Sequence, residues 1–410
     1  MTADGGGVPS VRIPAALPEG VSQETIGVRG GLLRSRFDET AEGLYLTSGY
    51  VYDSAAEAEK AFTGEIDRFV YSRYGNPTVA MFEERLRLIE GAEAAFATSS
   101  GMAAVFTGLG ALLGAGDRLV AGRSLFGSCF VVCNEILPRW GVETEFVDGT
   151  DLDQWEQALS KPTTAVFFET PSNPMQSLVD IAAVSEMAHA VGAKVVLDNV
   201  FATPLLQQGL PLGVDVVIYS GTKHIDGQGR VLGGAILGDK EYIDGPVQTL
   251  MRHTGPALSP FNAWVLLKGL ETLSVRVNYS NAAALRVAQF LEGHPGVSWV
   301  RYPFLASHPQ HDLAKRQMSG GGTVVTFELN APEGKGKQHA FEVLDKLSVI
   351  DISNNLGDSK SLITHPATTT HRAMGPEGRA AIGLGDGVVR VSVGLEGTED
   401  LIADLDRALS

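Results

Sequence analysis

Apolar residues fall along this chain in two alternating patterns. TTAVFFE, KVVLD and DVVIYS are short runs rich in β-branched and aromatic residues. Such runs read as strands buried on both faces, as in parallel sheets. AAFATSS and DRLVAG add two more strands. Between the runs, Leu152 to Leu159 and IAAVSEMAHAVG space their apolar residues three and four apart, the period of a helix. Pro77 and Thr78 open a further helix through Met81, Leu86, Leu88 and Ile89, which Gly91 ends. Repeated strand–helix units predict an α/β domain with a mainly parallel sheet.

The pattern changes at both ends. Residues 1 to about 20 are rich in Gly and Pro and are expected to be disordered or loosely tethered. From Ser22 to Asp67 short apolar pieces and turns follow without a long period, which reads as an arm lying on another surface. In the last third, helices Ala282 to Leu291 and His339 to Leu347 alternate with strands Gly322 to Leu329 and Val388 to Val393. The expected division is an N-terminal arm (1–67), a large domain (68–270) and a smaller C-terminal α/β domain (271–410). With 410 residues, more than one core is expected.

Composition narrows the function classes. With 48 acids against 32 bases the formal net charge is −16, which opposes a nucleic-acid partner. No apolar run approaches the ~18 residues of a membrane span. MTADGGGVPSVRIPAALPEG lacks the basic and apolar regions of a signal peptide, so a cytoplasmic protein is expected. Cys129 and Cys133 lie four apart on one predicted helix, in poor geometry for a disulfide, and are expected to be buried and free. Neither they nor any His–carboxylate set has the spacing of a metal site. A GxxxxGKS phosphate loop and a GxGxxG fingerprint in its proper context are absent.

The chemistry concentrates between Val195 and Gly234. Asp198, Ser220, Thr222 and Lys223 stand at or just past the carboxyl ends of two predicted strands, where open α/β sheets gather their ligands. A buried acid, a Lys and neighbouring hydroxyls suit pyridoxal phosphate (PLP). The Lys can bond the aldehyde, and the carboxylate can hold the pyridine nitrogen protonated. The turn AAFATSSGMAAV places the Gly101 and Met102 amides at a helix start, where an anion such as the phosphate is bound. The same spacing of Asp and Lys also occurs in many α/β proteins without this cofactor.

SGTKHIDGQGRVLGG resembles the lysine segment of the Cys/Met-metabolism PLP enzymes, the cystathionine synthase and sulfhydrylase family. YSRYGNPT, SLFG, SNP, SNNLGDSKSL and VVRVSVGLE match that family in order, over roughly Tyr71 to Glu396. The resemblance implies a fold-type I PLP-dependent transferase. It implies that Tyr71 and Arg73 reach the PLP phosphate of an adjacent subunit, and that Asn173 bonds near the cofactor's O3′ and the substrate. It makes Arg390 the clamp on the substrate α-carboxylate. Phe126 takes the place of a ring-stacking residue that is Tyr in most relatives, so stacking is retained and a phenolic proton is lost. Asn355 stands where the family has Ser, so its substrate contact is open, while Leu356 and Gly357 match. His224, His365 and His371 have no assigned chemistry.

TGPALSPFNAW is more similar to the sulfhydrylases than to the lyases, and Ser128 stands where methionine γ-lyases have Cys. These features imply γ-replacement: O-succinyl-L-homoserine and sulfide giving L-homocysteine and succinate, a step of methionine biosynthesis. A cystathionine γ-synthase using cysteine, a γ-lyase, and a PLP-free binding or regulatory homologue are the alternatives. Partners are expected to be the small amino-acid substrate, sulfide and further copies of the chain, in a dimer of dimers that shares its active sites.

Overall fold

The computed structural model describes residues 16–410. Most of the stretch expected to be loosely tethered, residues 1–15, lies outside the described residues. Seven strands form the larger sheet: β1 (Ala94–Thr98), β2 (Arg118–Gly122), β3 (Glu143–Val147), β4 (Ala165–Glu169), β5 (Lys194–Asp198), β6 (Val216–Ser220) and β7 (Gly234–Gly238). Their order is β1-β7-β6-β5-β4-β2-β3. The run from β3 to β6 is parallel, and only β7 opposes its neighbours β6 and β1.

Helices cover both faces, because each parallel crossover must return over the sheet. Successive residues of one strand therefore enter different cores. Phe168, Val195 and Leu197 pack with Trp155 and Leu266 on one side, whereas Phe167 and Val196 pack with Leu109 and Ile218 on the other. The helix Pro77–Glu90 has the predicted start and stop. The Asn76 side chain accepts from Thr78 N–H, and Gly91 closes the helix at φ 79°, where a Cβ would be strained.

Cys129 and Cys133 are buried and free, as expected. Burial pushes the Cys133 thiol up to about 12. The helical turn that carries Cys129 widens after Val131 into a π-helical turn, Val132–Ile136.

The second sheet runs β10-β11-β12-β9-β8, from β8 (Val297–Arg301), β9 (Val324–Leu329), β10 (Asp351–Ile352), β11 (Leu362–Thr364) and β12 (Val388–Ser392). The helix expected from Ala282 begins earlier, at Leu273, and continues to Glu292. Its first turns bury Leu273 and Val277 in the core of the larger sheet, and its last bury Val287 and Leu291 in the core of the smaller. One rigid element thus belongs to both cores, which local periodicity around Ala282 does not reveal.

Among the described residues the arm holds two short helices, Gln23–Arg29 and Ala55–Thr63, and otherwise irregular chain. It is fastened to helices that pack beside the larger sheet of the same chain. Buried Glu42 pairs with Arg85 and, at 2.8 Å, with Lys268, and Trp264 Nε1 donates to the Glu42 carbonyl at 3.0 Å. Phe37, Leu46, Val51 and Phe62 of the arm remain exposed. Among the described residues, no helix is long and apolar enough to cross a membrane, and no His, Cys, Asp and Glu cluster could hold a metal.

Candidate active site

The carboxyl ends of β4, β5 and β6 open into a cavity of about 230 Å³. Its lining includes most of the predicted site: Gly101, Met102, Phe126, Asn173, Asp198, Ser220, Thr222, Lys223, Leu356 and Arg390. Residues far apart in sequence meet here because parallel strands place all their carboxyl ends on one edge.

Asp198 ends β5. One of its oxygens accepts the Val200 N–H at 3.1 Å, and among the described residues no hydrogen bond claims the other. Burial raises its carboxyl to about 6. Lys223, just past β6, is lowered to about 8, chiefly by burial and then by the positive charge of Arg390. Its Nζ donates to Asn355 Oδ1 at 2.6 Å. Asn355 does not line the cavity; it holds the lysine instead, a contact open in the sequence because of the Ser-to-Asn departure.

One end of the cavity is built for an anion. Ser100 caps the helix Gly101–Gly110 with its hydroxyl on Ala103 N–H, which leaves the first two amides, Gly101 and Met102, free of that cap. A Cβ on Gly101 would stand 2.6 Å from the Ser220 Cβ. Only glycine lets the helix start approach the end of β6 this closely, bringing two amides and the hydroxyls of Ser220 and Thr222 together. Thr222 Oγ1 also bonds Gly233 N–H and C=O at 3.2 and 3.3 Å.

The opposite end is built for a carboxylate. Arg390 lies within β12 and is 1% exposed. Its Nη1 donates to Asn173 Oδ1 at 2.9 Å, and Nη2 to the carbonyls of Asn354 and Asn355 at 2.9 and 3.2 Å. Its Nε is buried and has no partner. An unpaired charged donor facing a cavity is costly unless an acceptor arrives. A carboxylate is an acceptor that could satisfy it.

Several lining residues were not singled out by sequence reasoning, among them Ser100, Glu169, Val200, Asn354 and Thr370. Glu169 could have been found by the rule that found Asp198, since it ends β4 and is Asp198's direct neighbour across the sheet. Its oxygens accept the N–H groups of Phe126 at 2.8 Å and Asn173 at 3.1 Å, so it fixes both the aromatic wall and the partner of Arg390. Burial, and then the neighbouring Asp198 charge, raise its carboxyl well above the ordinary range. Thr370 had no local signal; it reaches the cavity only through the folding of the TTTH loop.

His371 is fully buried and donates through Nε2 to the Asn173 carbonyl at 3.0 Å. Burial lowers it to about 4, so it is neutral and its Nδ1 accepts from the Thr370 hydroxyl at 2.8 Å. His224 is likewise held neutral by burial, lowered to about 3, with Nε2 and Thr323 Oγ1 2.7 Å apart.

Tyr71 and Arg73 are not among the residues that line this cavity. Arg73 stacks on the rings of Tyr71 and Tyr74 and donates to the Arg252 carbonyl. Tyr71 is 40% exposed.

The residues present fit PLP. A spare carboxylate oxygen on Asp198 can hold a pyridinium N–H, Lys223 can bond the aldehyde, Phe126 offers a ring face, and amides with hydroxyls meet the phosphate. Comparisons with known proteins agree. An O-succinylhomoserine sulfhydrylase of Mycobacterium tuberculosis (strain ATCC 25618 / H37Rv) is 82% identical over 98% of this chain and 99% of that protein. One from Pseudomonas aeruginosa is 48% identical over 96% of each. A putative O-acetylhomoserine (thiol)-lyase from Campylobacter jejuni, solved with N'-pyridoxyl-lysine-5'-monophosphate, superposes with a TM-score of 0.90. It is 32% identical and matches 95% of this chain and all of that one. Residues 24–410 match the family described as Cys/Met metabolism PLP-dependent enzyme, and the chain belongs to that family.

Proposed function

We propose that this chain is a PLP-dependent γ-replacement enzyme that converts O-succinyl-L-homoserine and sulfide to L-homocysteine and succinate, within methionine biosynthesis. The 82% identity to the M. tuberculosis O-succinylhomoserine sulfhydrylase, over nearly the whole of both chains, carries this reading.

Bound PLP supplies an electron sink that stabilises negative charge at the substrate carbons next to its ring. The chain's own residues do the rest. Arg390 takes the α-carboxylate through Nε and its fork, with Asn173 and the Asn354 carbonyl keeping the guanidinium in plane. Asp198 would hold the ring nitrogen of bound PLP protonated, and a positive charge there would favour its ionised form. Lys223, freed when a substrate amine takes its place on bound PLP, would remove the Cα proton, hand it on so that its amine is free again, then remove a Cβ proton, and would return protons to both carbons once sulfide has added. An amine lowered to about 8 is partly unprotonated near neutral pH and so can act as a base. Asn355 keeps the freed amine at hand. Phe126 holds the ring face but has no proton to give. An acyl ester leaves as a carboxylate, which needs little help from an acid, whereas a thiolate needs more. Sulfide then bonds to Cγ.

We place Tyr71 and Arg73 on the phosphate of an adjacent subunit, in a cytoplasmic dimer of dimers with domains divided near Leu270. Their position outside this chain's own cavity, and the exposed apolar residues of the arm, support that arrangement. The test is a product assay on holoenzyme given O-succinyl-L-homoserine, with sulfide and with cysteine in separate reactions. Homocysteine as the main product supports the reading. Cystathionine as the dominant product moves the chain to the synthases.

A further inference from the structure

We propose that Arg372 reads the distal carboxylate of the succinyl group and so sets the enzyme's preference for succinyl over acetyl esters. The inference rests on the γ-replacement reading above. O-Succinyl-L-homoserine carries two carboxylates. Arg390 is buried at the closed end of the cavity and can serve only the α-carboxylate. The second carboxylate lies two methylenes beyond the ester carbonyl, and an acetyl ester lacks it. A site that distinguishes the two esters needs a cation on the side towards which the acyl chain leaves.

The TTTH loop provides one. Thr369 Oγ1 donates to the His365 carbonyl at 2.8 Å, the His371 N–H donates to the Pro366 carbonyl at 2.9 Å, and the His371 ring is fixed on Asn173. These bonds pin the loop against the wall that Phe126 forms. Gly127 makes the fit possible, since a Cβ there would stand 2.9 Å from the Thr370 carbonyl oxygen. Thr370 lines the cavity. Arg372 is the first residue past this anchored segment, where a short 3-10 turn begins, and it is exposed. Two residues span at most roughly 7 Å, so a long flexible Arg side chain rooted there has the length to reach the rim beside Thr370, although Arg372 is not among the residues that line the cavity.

Nothing competes for its charge: among the described residues Arg372 has no ion pair and no side-chain hydrogen bond. Two other cations, Arg123 and Arg390, are engaged elsewhere. Arg123, on the segment leading to Phe126, donates to the Phe146 carbonyl at 3.3 Å, and Arg390 is taken up as described. On a chain with a net charge of −16, an unpaired Arg near the rim would also draw a substrate with two carboxylates inwards.

The test is kcat/KM for O-succinyl- and O-acetyl-L-homoserine with saturating sulfide, in wild type, Arg372→Ala, Arg372→Glu and Arg372→Lys. A rim charge pair is worth up to about a fivefold preference. The succinyl-to-acetyl ratio is therefore expected to fall by about fivefold in Arg372→Ala and further in Arg372→Glu, to stay close to wild type in Arg372→Lys, and to shrink in wild type as salt is added. An unchanged ratio in both the Ala and Glu variants overturns the proposal while leaving the γ-replacement reading intact. Failure of wild type to form homocysteine from either ester overturns both.

Discussion

Replacing Arg390 by Lys keeps the charge and removes the fork. The arginine uses Nη1 and Nη2 on Asn173, Asn354 and Asn355, with Nε left over. Burial lowers its guanidinium to about 10, so it is charged at neutral pH. A lysine ammonium at the same place cannot hold Asn173 and the Asn354 carbonyl while meeting both oxygens of a carboxylate. One charge-assisted hydrogen bond to the substrate is lost, about 1.5–3 kcal/mol, or roughly 10- to 150-fold in kcat/KM. Steady-state kinetics with O-succinyl-L-homoserine measure this, and the cofactor's absorbance serves as control, because Arg390 stands at the end of the cavity away from the phosphate site. A Lys variant that retains full cofactor and a kcat/KM within threefold of wild type would refute the carboxylate role.

Four further outcomes are expected. Lys223→Ala should bind PLP without a covalent link, so that borohydride reduction followed by mass spectrometry finds no pyridoxyl adduct; an adduct elsewhere on the chain moves the lysine assignment. Gly101→Ala forces a Cβ to within 2.6 Å of Ser220, an overpacking of about 1–3 kcal/mol, and should weaken PLP retention in equilibrium dialysis by roughly tenfold. Arg73→Ala should lower cofactor content without lowering the melting temperature of the cofactor-free protein; equal PLP content in mutant and wild type counts against a phosphate role. Asp198 has a folded-state value of about 6, raised by burial from an ordinary 3.8, so ionising it opposes folding. Stability is highest below the ordinary value and falls as pH rises through about 6, by about 3 kcal/mol in all. The melting temperature of cofactor-free wild type should therefore drop more between about pH 4 and pH 7.5 than that of Asp198→Asn, and parallel curves would contradict this.

The sequence by itself determined the strands, the sheet type and most of the chemistry. KVVLD and DVVIYS are short and β-branched, so they could only be buried strands, and the residues at their ends had to stand on the ligand-binding edge. The motif strings around Lys223, Asn173 and Arg390 identified the cofactor family, because few chemistries need those residue types in that order. Tertiary structure decided what depends on distance. Asn355 departs from the family's residue, and only the fold shows that it accepts from Lys223. Glu169 acquires its role by lying beside Asp198 across the sheet, a relation set by register rather than spacing. The helix from Leu273 extends beyond its local pattern because its two ends belong to different cores. Thr370 sits in a loop of ordinary polar residues, and it comes to the cavity because Gly127 leaves room for that loop and a buried His371 pins it. Local sequence encodes backbone preference and burial, but which side chains meet across a cavity is fixed only when distant segments pack.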